Sequence, residues 1–334
     1  MQQNYDLKVV FIPTSLKNLV RQTPGKNAQW GRFQFVFSGD QFYDYLVVLD
    51  NLRNPIACKV DKEHTIAFLG EPPYVNMYNN RFVRQFGQVY GCFPNKYIKT
   101  FEPNLPWMIG ENFIVGSHCI EQGECMSYDD FKSQPILEEG RKNKLCVITS
   151  NKKITCGHRR RVEFVERLKQ EYPDLIDVYG NGYHPIADKY EVLSKYKYAL
   201  VIENCQYPNY WTEKLGDTYL AGVYPIYCGC PNINEYFGDK SYTKIDIRNY
   251  DESVYTIKQI VENDVFCRAI NYLEEAKLLV MDKYNLFAII ASIIDNLDIQ
   301  SEPHNKEGHM IYPLKLSILD KIRLKFARKF EIIF

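Results

Sequence analysis

The sequence predicts an α/β protein of two domains, each with a doubly wound parallel sheet. Three observations predict this class. At 334 residues the chain is longer than one hydrophobic core usually supports, so two domains are expected. Apolar strand patterns alternate with helical patterns from residue 145 to residue 294. Within that stretch, residues 198–229 have the pattern strand, loop, helix and strand, which is the repeating unit of such a sheet.

Composition argues against several classes of protein. The 41 basic and 41 acidic residues give no net charge, so no nucleic-acid partner is expected. The opening segment MQQNYDLKVVFIP lacks the charged and apolar regions of a signal peptide, and no apolar run reaches the ~20 residues of a membrane span. The ten cysteines include no C-x-x-C pair. We therefore expect free thiols in a reducing cytoplasm and no metal site.

The first domain is predicted to span residues 1–140. Strands are expected at 7–12, 33–37, 45–49 and 65–69, separated by loops rich in Asn, Gly and Pro. The last strand is followed by Gly70, Glu71 and two prolines, so a carboxylate stands at a strand end on a rigid turn. A plain surface turn is the alternative interpretation of this segment.

An aromatic stretch follows, and the domain boundary is predicted after it. Residues 86–112 are irregular and contain Tyr90, Phe93, Tyr97, Phe101 and Trp107. Such side chains commonly line sugar-binding clefts, although packing in the core is the more frequent use. Residues 121–141 are polar, which places the boundary near residue 140.

The second domain is predicted to span residues 141–300. A strand at 145–149 ends in Ser150 and Asn151, and the following helix begins near three arginines at 159–161. Because the dipole at a helix start favours anions, this arrangement indicates an anionic partner, with a solvated basic turn as the alternative. The other predicted elements are strands at 177–179 and 242–247 and helices at 188–196, 232–237, 253–262 and 267–294.

The central unit at residues 198–229 carries the strongest functional signal. Its first strand turns polar at Glu203 and Asn204, as a buried parallel strand does at its carboxyl end, where open α/β sheets bind ligands. Thr212 is the candidate N-cap of a helix whose first residues are a glutamate and Lys214. A helix N-terminus, a lysine and a carboxylate beside a strand end predict a site for an anionic ligand.

These residues resemble a known signature. The segments E-N-C-Q at 203–206 and N-Y-W-T-E-K-L at 209–215 are similar to the donor-binding signature of the family 10 glycosyltransferases, the α1,3/4-fucosyltransferases. Cys205 stands where that family usually has serine, and we expect it to be a small packing residue. The chain looks like the bacterial-type members of the family. The resemblance implies the GT-B arrangement, in which two Rossmann-like domains face each other across a cleft. Residues 1–140 would then bind the acceptor and residues 141–300 the nucleotide-sugar donor.

The resemblance also implies a reaction and its residues. The reaction is an inverting transfer of L-fucose from GDP-fucose to an acceptor glycan, α1,3 or α1,4 to a GlcNAc-type residue of a surface polysaccharide or a glycoprotein. Glu71 is the expected general base, and Arg161 and Lys214 are expected to hold the diphosphate. The role of Glu203 stays open between a structural cap and the reacting centre. The donor-binding residues are Ser150, Asn151, Arg161, Asn204, Tyr210, Glu213 and Lys214.

No metal is expected to be required, because the chain contains no D-x-D sequence and its basic residues supply the positive charge. Two alternatives to the fucosyltransferase hypothesis stay open. One is a glycosyltransferase of the same fold that uses a different nucleotide sugar. The other is a catalytically silent carbohydrate-binding or membrane-scaffold protein. The intact T-E-K segment is evidence against this alternative, because a binding module does not need a cation and a carboxylate at that helix start.

Residues 313–334 are predicted to form a separate basic, amphipathic tail. After Pro313, the apolar residues Leu319, Ile322, Phe326, Phe330 and Ile333 recur at steps of three and four, with lysines and arginines between them. Such a helix is expected to contact an anionic membrane, and docking on the body of the protein is the alternative. We therefore expect a cytoplasmic protein that is peripheral on the inner face of the cell membrane.

Overall fold

The computed structural model describes residues 7–14, 16, 18–73, 75–100, 106–110, 125–299 and 303–330. The chain forms two compact units, one from Met1–Asn104 with Asn285–Phe334 and the other from Leu105–Tyr284. The strands are β1 (Lys8–Phe11), β2 (Gln29–Trp30), β3 (Phe33–Val36), β4 (Tyr45–Leu49), β5 (Ile56–Val60), β6 (Thr65–Leu69), β7 (Gln88–Gly91), β8 (Lys99–Thr100), β9 (Lys142–Ile148), β10 (Ile176–Tyr179), β11 (Tyr196–Ile202), β12 (Tyr224–Cys228), β13 (Thr243–Lys244) and β14 (His304–Ile311). The helices are α1 (Asn80–Val83), α2 (Tyr128–Ser133), α3 (Cys156–Glu171), α4 (Lys189–Leu193), α5 (Glu213–Leu220), α6 (Tyr250–Glu262), α7 (Val265–Leu278), α8 (Leu286–Asp295) and α9 (Ile318–Phe330).

The first unit contains a sheet with the strand order β2-β3-β1-β4-β6-β7-β8. Neighbouring strands are parallel, except that β2 and β3 are antiparallel. β6 is buried along its whole length, as a central parallel strand should be. The strands predicted at 7–12, 33–37, 45–49 and 65–69 are confirmed, with ends that differ by one residue at most.

Helix α8 packs on this first sheet. Leu286, Phe287 and Ile290 are fully buried in one cluster with residues of β1, β3, β4 and β6. The Phe287 ring lies 4.7 Å from the ring of Phe35, measured between centroids. Residues 285–300 therefore belong to the first compact unit and not to the predicted donor domain of residues 141–300. The helical pattern shows that α8 is apolar, but not which sheet covers it.

The second unit contains a sheet with the order β10-β9-β11-β12-β13, in which all pairs are parallel. β11 and β12 are buried at every residue, which agrees with helices covering both faces. The predicted α/β class with two Rossmann-like sheets is confirmed. The strand predicted at 242–247 is shorter than expected, because only Thr243–Lys244 pairs with β12.

The boundary between the units falls at residue 104 instead of the predicted residue 140. Hydrogen bonds far apart in sequence attach the intervening residues to the second unit. The Ile136 N–H donates to Glu274 at 2.6 Å, and the Met108 N–H donates to Asp217 at 3.1 Å. Polar composition near residue 140 indicated an exposed linker, but these pairings have no local sequence pattern and decide the division.

The helix predicted at 267–294 is interrupted. Helix α7 runs into a π-helical turn at Leu279–Lys283 and ends there. The side chain of Asn285 accepts a hydrogen bond from the Phe287 N–H at 2.9 Å, which caps the start of α8. The same side chain donates to the Gln22 carbonyl at 2.8 Å. A buried polar cap thus starts a new helix inside one continuous apolar pattern.

Two further features differ from the sequence analysis. β5 and β14 form an antiparallel pair that the sequence analysis missed. In the predicted aromatic cleft, Tyr90, Phe93 and Trp107 are at most 9% exposed, so they are core residues, and Trp107 belongs to the second unit. Phe101 lies outside the described residues.

Helix α9 has a docked face and an exposed face. Leu324 and Ala327 are buried, and the guanidinium of Arg328 donates to the Val75 carbonyl at 2.8 Å. The exposed apolar side chains, at 48–79% exposure, are Ile318, Leu319, Ile322, Phe326 and Phe330. Ile333 lies outside the described residues. Across the described ranges, no helix combines the length and apolar character needed to cross a bilayer.

Candidate active site

The candidate site lies where the connections of the second sheet change direction. β9 connects through α3 to β10 on one side, whereas β11 connects through α5 to β12 on the other. β9 and β11 are neighbours and parallel, so their carboxyl ends are adjacent. Open α/β sheets bind ligands at such a topological switch point. The predicted donor residues from Ser150 to Lys214 follow these two strand ends.

Glu203, Thr212 and Lys214 form one hydrogen-bonded cluster at the end of β11. The Glu203 side chain is fully buried, and Oε1 accepts the Thr212 N–H at 2.8 Å. The Thr212 hydroxyl lies 3.0 Å from Oε1 and 2.8 Å from Oε2. Lys214 Nζ lies 3.2 Å from Oε2 and 2.9 Å from the Thr212 hydroxyl. Thr212 also caps α5, so the predicted N-cap is confirmed.

Lys214 is a cation held between two carboxylates. Burial lowers the pKa of its ammonium, but the charges of Glu203 and Glu213 raise that pKa more, and the net shift is upward. Glu213 Oε1 lies 3.6 Å from Lys214 Nζ. Burial raises the pKa of Glu213, whereas the charges of Lys214 and Lys189 lower it, to a net value of about 2. Both groups are therefore charged at neutral pH.

Arg161 is a second cation at the same strand ends. It is only 4% exposed, its Nη1 donates to Asn204 Oδ1 at 2.5 Å, and its Nη2 donates to the Ser150 carbonyl at 3.4 Å. Its Nε is buried without a hydrogen-bond partner. Burial lowers the pKa of this guanidinium, and the charge of Glu203 opposes that shift in part. A buried cation with a spare donor indicates a place for an anion.

Gly157 allows α3 to bring Arg161 to this place. A Cβ atom on Gly157 would lie 1.9 Å from the carbonyl oxygen of Asn204, so a side chain here would push α3 away from the end of β11. Thr155 caps the helix by accepting the His158 N–H at 3.2 Å. Two of the arginines predicted at the helix start differ in exposure, since Arg160 is exposed and Arg161 is buried.

A cavity of about 40 Å³ joins the cations. It lies beneath the ends of β9 and β11, and its charged lining residues are Arg161, Lys189, Lys214 and Asp217. Lys189 is paired with Asp217 at 2.6 Å and Lys214 with Glu203 at 3.2 Å. Among the described ion pairs of these lining residues, Arg161 takes part in none. Arg161 is thus the cation of this cavity without a described ion pair, although the charge of Glu203 acts on it from a greater distance.

Asp217 is a buried acid that the sequence analysis missed. It is 1% exposed, and it accepts the Met108 N–H at 3.1 Å and the Lys189 ammonium at 2.6 Å. Burial raises the pKa of Asp217 to about 6, although the charge of Lys189 opposes the shift. Lys189 and Asp217 lie on different helices, so their pairing has no spacing that a sequence pattern reveals.

The remaining predicted donor residues lie around the same strand ends. Asn204 follows β11 and orients Arg161. Ser150 and Asn151 follow β9, and the Asn151 N–H donates to the Asn181 carbonyl at 3.1 Å. Tyr210 is 3% exposed and lies in the loop before α5. Cys205 is buried, as predicted for a packing residue.

Glu71 lies in the first unit, directly after β6, and is half-buried. Its N–H donates to the Tyr78 hydroxyl at 3.3 Å, and that hydroxyl donates to Asp50. The Tyr78 ring is stacked on Phe93 with centroids 5.9 Å apart. The turn that carries Glu71 is therefore held by a tyrosine and an aspartate that the sequence analysis did not identify.

One group of potential metal ligands occurs within the described ranges, namely Glu138, Asp264 and Cys267. The Lys197 ammonium lies 2.8 Å from Glu138, 2.9 Å from Asp264 and 3.5 Å from Cys267 Sγ. This cluster already surrounds a cation of the chain itself, so we assign no metal to it.

Comparison with known proteins identifies the domain that holds this site. Residues 138–278 match the family described as "Glycosyltransferase family 10 (fucosyltransferase) C-term". These residues are thus similar to the C-terminal domain of glycosyltransferase family 10. The family 10 domain contains Arg161, Asn204, Tyr210, Glu213 and Lys214, and the resemblance predicted from the sequence is confirmed.

Curated relatives match short segments of the chain. Alpha-(1,3)-fucosyltransferase FucT of Helicobacter pylori is 40% identical over 80 residues, which are 24% of this chain and 16% of that protein. Alpha-(1,3)-fucosyltransferase B of Drosophila melanogaster is 40% identical over 60 residues, which are 18% of this chain and 13% of that protein. The chain thus spans well under two thirds of the length of these relatives.

Solved structures match nearly the whole chain. A crystal structure of an α1,3-fucosyltransferase with GDP-fucose is similar over 92% of this chain and 95% of that chain, with a TM-score of 0.51 and 18% identity. A second α1,3-fucosyltransferase structure covers 90% of this chain and 94% of that chain, with a TM-score of 0.50 and 17% identity. The likeness shows that the family 10 domain is part of a GT-B fold.

Proposed function

We propose that the protein is an inverting fucosyltransferase that transfers L-fucose from GDP-fucose to a hydroxyl of an acceptor glycan. The observation that carries the proposal is the buried guanidinium of Arg161, which has a spare donor and no described ion pair. It shares a cavity with Lys214 at the ligand-binding edge of the sheet. The names of the relatives, α1,3-fucosyltransferases, support fucose as the sugar.

The two cations would act on the diphosphate of the donor. As the bond between fucose and the diphosphate breaks, negative charge grows on the leaving phosphate oxygens. Cations that are fixed before the reaction stabilise this charge more than they stabilise the bound donor, which lowers the barrier. Arg161 offers a planar fork of donors, and Lys214 offers a point charge at the start of α5. With these charges in place, the proposed reaction requires no metal.

The other donor residues would orient the nucleotide sugar. Asn204 keeps the Arg161 guanidinium in one orientation. Glu213 is ionised and about a quarter of its side chain is exposed, so it can accept hydrogen bonds from sugar or ribose hydroxyls. We assign Ser150, Asn151 and Tyr210 to the donor side as well, because they lie at the same strand ends.

The acceptor would be activated by Glu71. A carboxylate at the end of β6 can take the proton from the attacking hydroxyl, and attack opposite the diphosphate inverts the anomeric carbon. The backbone hydrogen bond to Tyr78 fixes the turn that carries this carboxylate. We propose a GlcNAc-type residue of a surface polysaccharide or a glycoprotein as the acceptor, with α1,3 or α1,4 linkage.

The direct test measures fucose transfer from labelled GDP-fucose to a panel of N-acetyllactosamine-type acceptors. Lys214→Ala and Arg161→Ala should abolish turnover while thermal unfolding stays cooperative. Arg160→Ala is the matched control, because Arg160 is the exposed neighbour of Arg161, and it should keep wild-type turnover. Undiminished turnover in both site variants would contradict the proposal. Calorimetry with GDP, UDP and CDP sugars tests whether the protein uses a donor other than GDP-fucose. Sugar binding that does not depend on any nucleotide would indicate a catalytically silent binding protein.

We further propose that α9 holds the protein on the inner face of the cell membrane. Its exposed apolar side chains lie within an arc of about 120° on a helix of 3.6 residues per turn, and basic residues flank that arc. Lys321, Arg323 and Lys325 are exposed beside it and match anionic headgroups. Because Leu324 and Ala327 are docked on the first unit, the apolar arc points outward.

Vesicle binding tests this membrane contact. The protein should sediment with vesicles that contain phosphatidylglycerol and much less with pure phosphatidylcholine. Phe326→Asp should weaken binding about tenfold or more, since a buried Phe contributes about 1.5–3 kcal/mol. Tyr255→Asp removes an aromatic residue of α6 that is at least as exposed as Phe326, and it should have no effect. Equal binding by both variants would show that α9 is not the contact.

A further inference from the structure

Glu203 is the one carboxylate at the end of β11 whose side chain is fully buried. Its backbone N–H pairs with the Cys228 carbonyl at 2.9 Å, so the residue is still part of the sheet edge. On one side it is confined by Gly229, because a Cβ atom there would lie 2.5 Å from Glu203 Cγ. The Glu203 carboxylate is thus held in one position by β11, the neighbouring turn and the loop before α5.

All three donors that reach this carboxylate come from two residues. Oε1 accepts the Thr212 N–H, and the Thr212 hydroxyl donates its proton toward both carboxylate oxygens. The Lys214 ammonium donates to Oε2 and to the Thr212 hydroxyl oxygen. The Thr212 hydroxyl also accepts the Lys214 N–H at 3.4 Å. A hydroxyl has one proton to donate and two lone pairs, so these bonds satisfy the Thr212 hydroxyl completely. Both oxygens of Glu203 are occupied by donors of the protein.

We propose that Glu203 is a positioning residue, which fixes the ammonium of Lys214 where the diphosphate of the donor is bound. This inference rests on the proposed function and assigns a role within that site. It resolves the two roles left open for Glu203, because the residue both caps the loop and acts on the reaction through Lys214. A carboxylate whose oxygens are both occupied and fully buried is not placed to accept a proton from an acceptor hydroxyl.

The physical advantage is preorganisation. A lysine side chain has four rotatable bonds, and holding it in one conformation normally costs rotamer entropy. Here the Glu203 carboxylate and the Thr212 hydroxyl hold Lys214 Nζ before any ligand binds. The rotamer entropy of Lys214 is therefore lost during folding and not when the ligand binds. The charge of Glu203 also helps to raise the pKa of Lys214, which keeps the ammonium protonated. Such fixed charges contribute most where charge develops in the transition state.

The experiment uses Glu203→Gln, which keeps the shape of the side chain and removes its charge. We expect kcat with GDP-fucose to fall about a hundredfold, with a much smaller change in KM. The alkaline limb of the kcat/KM profile should move to lower pH, because Lys214 loses the nearest charge that keeps it protonated. A cap that only stabilises the loop would not move that limb.

A double-mutant cycle with Lys214→Met separates positioning from folding. Since variants without the Lys214 ammonium are expected to lack turnover, the cycle is measured as GDP affinity by calorimetry. If Glu203 acts through Lys214, Glu203→Gln should weaken GDP binding at most about twofold in the Lys214→Met background. An equal loss in both backgrounds, or an unmoved alkaline limb, overturns the inference. Should Glu203→Gln fail to fold, Thr212→Val removes the bridging hydroxyl and should lower kcat about tenfold, whereas Thr212→Ser should keep it. Undiminished kcat in Thr212→Val would then overturn the inference.

Failure of the proposed function is recognised separately. If the wild-type protein does not turn over GDP-fucose with any acceptor, the proposed function fails. The positioning role is then measured by calorimetry with GDP, to which Glu203→Gln and Lys214→Met should bind about tenfold or more weakly than wild type. Unchanged GDP affinity in Glu203→Gln would contradict the role of Glu203 in that case.

Discussion

Arg161→Gln should make the ligand-free protein more stable while it destroys the activity. Arg161 is 4% exposed and its Nε has no hydrogen-bond partner. Burial lowers the pKa of its guanidinium, which means that the folded state disfavours the charge. Glutamine is shorter and neutral, and it keeps a polar end for Asn204. The substitution therefore removes a buried cation without removing the whole side chain.

The loss of activity follows from the hydrogen bonds that a guanidinium makes to phosphate. A hydrogen bond to a charged group contributes about 1.5–3 kcal/mol, and a fork-shaped contact supplies two of them. At about 1.4 kcal/mol for each factor of ten, kcat/KM should fall about 10²-fold to 10⁴-fold. Lysine at this position keeps the charge but loses the fork, so Arg161→Lys should recover a minor part of the loss.

The gain in stability follows from desolvation. Burying an ion costs several kcal/mol even after the protein relaxes. The hydrogen bonds of Arg161 to Asn204 and to the Ser150 carbonyl offset part of that cost. We therefore expect the free energy of unfolding of Arg161→Gln to exceed that of wild type by about 1 kcal/mol.

The assay is urea unfolding without and with GDP, alongside fucose transfer. GDP should stabilise wild type and have little effect on Arg161→Gln. Arg160→Gln is the control, since its side chain is exposed, and it should match wild type in both measurements. A variant that loses more than about 1 kcal/mol of stability would show that Arg161 is a structural residue. Retained turnover would refute its contact with the diphosphate.

Three further predictions concern the surroundings of the site. Gly157→Ala should cost about 1–3 kcal/mol of stability and most of the activity, because its Cβ would lie 1.9 Å from the Asn204 carbonyl oxygen. Gly238→Ala is the control, since a Cβ atom there would have no other atom within 4 Å, and it should leave denaturant unfolding unchanged. The pKa of Asp217 is raised from 3.8 to about 6 in the folded state, so the unfolded state releases this proton first as the pH rises. The free energy of unfolding of wild type should therefore fall by about 3 kcal/mol between pH 4 and pH 6, from about 2 pH units at about 1.4 kcal/mol each. Asp217→Asn should lack that part of the pH dependence, and an identical slope in both proteins would show that Asp217 is not the titrating group. Asn285→Ala should lower stability by about 1–2 kcal/mol through loss of the α8 cap, measured by thermal unfolding, and an unchanged midpoint would contradict its capping role.

Much of each sheet follows from local sequence. The strands 45–49 and 65–69 were predicted with the bounds that the structure has, because buried parallel strands are short apolar runs bounded by turn residues. The start of α5 was also predicted, since the N-cap of Thr212 depends on residues next to it. Local sequence also predicted helix starts near Arg161 and at Lys214, and the family resemblance assigned both residues to the diphosphate. The sheet then places them beside one cavity.

Other features required contacts between distant residues. The assignment of α8 to the first sheet depends on Phe35 and Gln22, which are far from it in sequence. The pairing of Lys189 with Asp217 joins two helices, and neither residue stands in a distinctive pattern. Composition near residue 140 indicated a linker, but hydrogen bonds from Met108 and Ile136 attach that region to the second unit.

The sequence by itself determined the α/β class, the main strands and the residue types that surround the donor site. These follow from periodicity, capping and turn chemistry, which act between residues a few positions apart. Only the tertiary structure decided which charges are paired. Glu203 forms an ion pair with Lys214 whereas Arg161 has no described ion pair, because burial and the distances between side chains depend on how strands and helices pack.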